Sequence, residues 1–183
     1  MIVLVGASAS GKTELAKILY QHYGYSKCIT TTTRSPRMHE KDGVDYHFLN
    51  PDQFHLLQEH GGFVESATYH GHCYGIQKQD VRDEGVVIVE PNGANTLIDA
   101  LQEQVYVVYV QASEALRTKR MLQRGDASDI VMERIEFDRK VFHTHQLKRI
   151  DHIAQNETES LDQLAKQIDQ KYQAYLNQTT KKG

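Results

Sequence analysis

A chain of 183 residues with 39% hydrophobic content is long enough to bury one sizeable core and too short for two independent domains. Its 21 basic and 24 acidic residues leave a formal charge of −3, which excludes a global attraction to nucleic acid or an anionic membrane, so anion binding must be local. Two cysteines are too few for a disulfide framework, and no stretch approaches the ~18 apolar residues of a membrane span, so a reducing, cytoplasmic setting is expected.

In chain order, residues 1–5 read as a fully buried strand that runs through a glycine-rich turn into a helix over 13–20, where Leu15, Ile18 and Leu19 recur at helical spacing. Residues 30–80 then break into short, polar segments carrying tyrosine and glycine, with one brief helical run after Pro51. This stretch reads as an insertion that carries a binding surface. Residues 86–89 and 105–110 are short runs of β-branched and apolar residues, as expected where both faces of a parallel sheet are covered, and 150–154 is a weaker fourth strand. Helical patterns occupy 95–101, 114–124 behind a cap at Ser113, and about 129–147. The last helix, about 160–176, places Leu161, Leu164, Ile168, Tyr172 and Tyr175 along one face. Strands alternating with helices predict an α/β fold with a parallel sheet flanked by helices. Residues 179–183 read as a plain tail.

Gly6, Ala7, Ser8, Ala9, Ser10, Gly11, Lys12 and Thr13 match GxxxxGK[S/T] in full, after a strand and before a helix. Such a P-loop turns backbone N–H groups inward around the phosphates of ATP, adds the positive end of a helix, and directs Lys12 to the β- and γ-phosphates and the Thr13 hydroxyl to Mg²⁺. It identifies a nucleotide rather than a reaction. Neither NKxD nor DxxG occurs, which sets a GTPase aside.

Discrimination comes from the inserted region. Thr30, Thr31, Thr32, Thr33, Arg34, Ser35, Pro36 and Arg37 are followed by Asp42, Gly43, Val44, Asp45, Tyr46, His47 and Phe48, then by Glu65 and by Tyr74 with Gly75. In this combination and spacing the chain resembles guanylate kinase, from residue 2 to about residue 170. The resemblance implies a single P-loop kinase domain over 1–183. Its core would comprise about 1–29, 84–122 and 148–183, with a monophosphate-binding insertion over about 30–83 and a helical lid over about 123–147. It implies ATP-dependent phosphorylation of GMP to GDP with release of ADP and with Mg²⁺ as cofactor, and partners limited to ATP and GMP, without nucleic acid or membrane.

Residue by residue, the resemblance implies that Arg34, Arg37, Tyr46 and Tyr74 hold the GMP phosphate, while Glu65 and the Thr30 hydroxyl address guanine. Two arginines three apart present planar forks to one phosphate, and a carboxylate matches the N1–H and 2-amino edge of guanine. Arg120, Arg124 and Arg134 resemble lid arginines, of which Arg124 and Arg134 would join Lys12 at the transferring phosphates. Asn156 would lie beside adenine. Arg117 and Lys119 read as a solvated helix face. His70, His72 and Cys73 have metal-binding side chains but lack a second ligand pair.

Two departures from the family pattern stand out. Ile76 replaces a serine or threonine that touches guanine, so an apolar surface is expected against the base, and Ile76→Thr is expected to improve use of GMP. The segment Ile88, Val89, Glu90, Pro91, Asn92 replaces one carrying two aspartates, leaving Glu90 to serve the GMP site or, through water, Mg²⁺. A kinase of similar fold with another small acceptor, and a non-catalytic module that binds a phosphorylated partner, remain open at this point.

Overall fold

The structure, a computed structural model, describes residues 1–69 and 71–179. His70 and the tail residues 180–183 therefore lie outside the described residues.

Five parallel strands form the central sheet in the order β2-β7-β1-β8-β9, with β1 Ile2–Val5, β2 Ser26–Lys27, β7 Gly85–Ile88, β8 Tyr106–Gln111 and β9 His152–Gln155. The unbroken apolar runs follow from its two covered faces. Ile2, Leu4, Val86, Val108 and Val110 share a core with Leu15 and Leu19 of α1 (Lys12–His22) and with Leu164, Ile168 and Tyr172 of α6 (Leu161–Thr179). Val3, Val5, Val87 and Val107 point the other way, into a core with Ala94 and Leu97 of α3 (Pro91–Leu101). Alternate side chains of each strand thus feed opposite layers, giving an α/β sandwich.

The polar stretch between them forms a second sheet, in the order β4-β3-β6-β5, from β3 Thr30–Thr32, β4 Tyr46–Phe48, β5 Phe63–Tyr69 and β6 His72–Gln77. Its β3–β6 and β5–β6 pairs are antiparallel and its β3–β4 pair is parallel. The helical run after Pro51 is α2 (Pro51–Glu59), started by a capping box between Asn50 and Gln53 and by Pro51 in the first turn. Phe54 is its buried anchor, stacked on Phe63 with ring centres 4.5 Å apart.

Two helices differ from expectation. The one expected over 95–101 begins four residues earlier, because the Glu90 side chain accepts the Asn92 and Gly93 N–H groups and Pro91 suits the first turn. The one expected to reach residue 147 ends earlier, as α5 (Ser128–Val141), where Phe142 leaves helical geometry and its carbonyl accepts the Tyr109 hydroxyl at 2.8 Å. A single 3₁₀ turn, Thr144–Gln146, follows. Ahead of α5, α4 (Glu114–Gln123) starts at the expected Ser113 cap.

Candidate active site

The P-loop leaves β1 and feeds α1. Gly6 lies so close to the Val110 carbonyl that no side chain fits, and Gly11, at φ 101°, is equally hemmed in by the Asn156 amide. That amide donates to Ser10 O at 2.7 Å, so Asn156 braces the loop from behind and lines neither cavity described below. Ala9 adopts φ 58°, a left-handed conformation that costs a non-glycine residue about 1–2 kcal/mol. Lys12 Nζ donates to Gly6 O at 2.5 Å and Ala7 O at 2.9 Å. Burial pushes its pKa down to about 8 against the opposing pull of Asp138. Thr13 is exposed on the first turn of α1.

Two cavities adjoin at the loop. One, of about 200 Å³, joins Gly6 and Lys12 to Thr30, Tyr46, Glu65, Tyr74, Ile88 and Glu90. The other, of about 390 Å³, brings Arg34 and Arg37 of the insertion opposite Arg124 and Arg134 of the helical hairpin. Ser8, Tyr69 and Tyr74 line both. A base-sized chamber with a carboxylate wall thus opens beside an arginine-lined one, with the P-loop between them.

The electrostatics of the two chambers differ. Glu65 is 4% exposed, and burial, followed by repulsion from Glu90, pushes its carboxyl up to about 8. Gly93 allows this approach: a Cβ there would come within 2.6 Å of Glu65 Oε1. Glu90 is itself tied to α3 by the Gly93 and Asn92 amides at 2.5 and 2.7 Å. In the arginine chamber Arg34 grips both oxygens of Glu40 at 2.9 Å, with its guanidinium 5.4 Å above the Tyr46 ring centre. Arg124 and Arg134 converge on Asp126, at 2.5 and 3.4 Å, and the Arg124 hydrogen bond lowers the Asp126 pKa.

Two sequence expectations are corrected here. Arg117 is not on a solvated face: it is 5% exposed and pairs with Asp138 at 3.0 Å, while Lys119 is exposed. Ile76 does not meet the cavity either. Register places it between Thr30 and Glu65, but it is fully buried, in the core that holds Val87, Ala94 and Leu97. Ile76→Thr should therefore bury a hydroxyl, lower stability by about 1–3 kcal/mol, and leave GMP selectivity unimproved. Urea unfolding checks the first effect and steady-state kinetics the second.

Sequence reasoning missed Tyr69, Phe142 and Asp138. Asp138 and Arg117 did carry a signal. Val131, Ile135 and Asp138 mark the buried face of α5, as Arg117 and Met121 do that of α4, so each charge stands where the helical period calls for an apolar residue.

The sequence matches the profile of the guanylate kinase family over residues 1–175. Guanylate kinase from Hyphomonas neptunium is 34% identical over 167 residues, covering 86% of this chain and 76% of the relative. That from Thermus thermophilus is 37% identical over 145 residues, 74% of this chain and 65% of the relative. Among solved structures, guanylate kinase from Anaplasma phagocytophilum superposes with a TM-score of 0.68 at 22% identity, covering 94% of this chain and 85% of that one. A gluconokinase from Sinorhizobium meliloti superposes with a TM-score of 0.55 at 14% identity, covering 100% and 97%. At those identities the two structures speak to the fold, an α/β P-loop kinase. The profile match over nearly the whole chain and the identity to curated relatives show that the chain belongs to the guanylate kinase family.

Proposed function

We propose that the chain transfers the γ-phosphoryl group of Mg·ATP reversibly to the phosphate of GMP, giving ADP and GDP. The observation that carries this reading is the pair of adjoining cavities: Glu65 and Lys12 line one, and arginines from two separate elements line the next. The sheet and helix within residues 30–83 act as the monophosphate-binding insertion, and residues 123–147 as the lid, on a core made of 1–29, 84–122 and 148–183. No helix among the described residues is long and apolar enough to cross a membrane. Separately, the GMP kinase reading implies a cytoplasmic role in purine nucleotide metabolism.

GMP seats its base against Glu65 and Thr30 and its phosphate against Arg34, Arg37, Tyr46 and Tyr74. Guanine offers Glu65 two adjacent donors, N1–H and the 2-amino group, which adenine lacks, and these favour the ionised carboxylate. The GMP phosphate takes Arg34 in competition with Glu40. Its second pKa is about 6, so it is already a competent nucleophile near neutral pH and needs no strong base. Catalysis is alignment and charge neutralisation, with Lys12, Arg124 and Arg134 around the group in flight and the P-loop amides around the ATP phosphates. Asn156, 2% exposed behind the loop, would serve the adenine side through the loop it braces.

The donor set fits a metal carried in on the nucleotide. Among the described residues no three His, Cys, Asp or Glu side chains are grouped to hold an ion. One threonine hydroxyl plus phosphate and water oxygens suits Mg²⁺, which would be held by Thr13, with Glu90 acting through water. Held by Thr13, and by Glu90 through water, the ion would supply charge neutralisation to the ATP phosphates. The direct check is ³¹P NMR of the chain with Mg·ATP and GMP. Matched growth of ADP and GDP is expected, whereas ADP with unchanged GMP and free phosphate would contradict the assignment.

A further inference from the structure

Asp138 is 1% exposed, yet it belongs to a helix whose next two residues, Arg139 and Lys140, face solvent. Its Oδ2 accepts the Ser8 N–H at 2.8 Å and Arg117 Nη1 at 3.0 Å, and its Oδ1 accepts the Tyr69 hydroxyl at 3.2 Å. One carboxylate thus joins the P-loop, α4 and the end of β5. The outer arm of the loop, Ser8 and Ala9, has further contacts to α4 and α5. Arg117 donates to Ser8 O at 3.4 Å and Arg120 to Ala9 O at 3.2 Å, while Ala9 packs against Met121, Val131 and Ile135. These contacts hold Ala9 in its left-handed conformation.

A buried ion pair stabilises little by itself, because desolvation offsets its attraction. What this one fixes is position. We propose that Asp138 is a positioning residue for phosphoryl transfer, which sets the outer arm of the P-loop by holding Ser8 N–H and couples that arm to α4 and the four-stranded sheet. This rests on the phosphotransferase reading above. Asp138 acts through the loop, and its negative charge also helps to keep the neighbouring Lys12 protonated.

The test combines Asp138→Leu with Arg117→Met, which leaves no buried charge unpartnered. Wild type and double variant are compared by thermal unfolding, by affinity for Mg·ATP without any acceptor, and by the separate KM values for ATP and GMP. Loss of both charge-assisted hydrogen bonds to Ser8, its N–H to Asp138 and its carbonyl from Arg117, should weaken Mg·ATP binding about tenfold or more, lower kcat, and change the GMP KM by less than about threefold. A folded double variant with wild-type ATP affinity and kcat would overturn the proposal and leave a merely structural pair. Equal losses toward ATP and GMP would overturn it too. If the double variant does not fold, amide hydrogen exchange in Asp138→Asn decides: Ser8 should exchange about tenfold or more faster than in wild type, with Val3 unchanged, and an unchanged Ser8 rate counts against the role. Because ATP affinity is read without an acceptor, a wild type that fails to phosphorylate GMP would refute the functional reading separately.

Discussion

Lys12→Ala is expected to lower kcat by about three orders of magnitude or more, since it removes a preorganised cation from the path of the transferring phosphoryl group. Stability should not follow activity. The folded-state pKa of Lys12, about 8, lies below that of an exposed lysine, so between those values the unfolded chain binds more protons and stability rises with pH. At neutral pH the protein carries the cost of a charged, desolvated ammonium, and alanine relieves it. Of the two carbonyl acceptors it leaves, that of Gly6 belongs to a residue lining the smaller cavity and that of Ala7 to a half-buried residue, so their loss of a donor costs less than the charge it relieves. Thermal unfolding at pH 7 should therefore show a Tm within a few degrees of wild type while turnover collapses. A folded variant with near-wild-type turnover would remove the P-loop from the mechanism.

Glu65→Gln is the second large effect, and it has opposite signs for activity and stability. An amide offers one carbonyl acceptor and turns an N–H₂ toward the donor edge of guanine, so kcat/KM for GMP should fall by about one to two decades while AMP is little affected. Stability moves the other way. The Glu65 carboxyl ionises at about 8 in the folded protein and near 4.5 when unfolded, so the folded state holds the extra proton between those values. Folding stability is thus lost as pH rises from about 4.5 through about 8. The amide removes this loss, and the variant should gain about 1–3 kcal/mol over wild type above pH 8 and little at pH 4. The same proton should be released when GMP binds wild type near neutral pH. The GMP KM should then improve several-fold between pH 7 and 8.5, beyond the phosphate titration near pH 6, and stay flat in the variant. Equal losses for GMP and AMP, or a Tm difference independent of pH, would make Glu65 a structural carboxylate.

The parts of this molecule legible in the sequence are those whose physics is local. The P-loop declares itself because Gly6 and Gly11 sit where no side chain fits and the flanks are a strand and a helix. The parallel strands declare themselves because Ile2–Val5 and Tyr106–Gln111 are covered on both faces and cannot alternate. The second sheet was invisible as a sheet: its three-residue strands Thr30–Thr32 and Tyr46–Phe48 are too short to show a period, and their pairing is long-range. The start of α3 was hidden because Pro91, Asn92 and Gly93 carry turn chemistry, and a glutamate is an uncommon cap. Ile76 shows the limit of motif transfer, since one position in register with Thr30 and Glu65 is turned over to the core beneath α3. Arg117 and Asp138 show the limit of reading charge as surface, because only the helical period betrays that they face inward.

The central claim is that Glu65, with Arg34 and Arg37 at the phosphate, selects a guanine monophosphate as acceptor. It is tested most directly by coupled ADP release at saturating Mg·ATP with GMP, dGMP, AMP, UMP and gluconate supplied in turn. The geometry predicts a kcat/KM for GMP at least about a hundredfold above those for AMP and UMP, since those bases lack the paired donors of guanine and leave the buried Glu65 carboxyl unmatched at a cost of a few kcal/mol, and no gluconate-dependent ADP release. Faster turnover with AMP, UMP or gluconate than with GMP would contradict it.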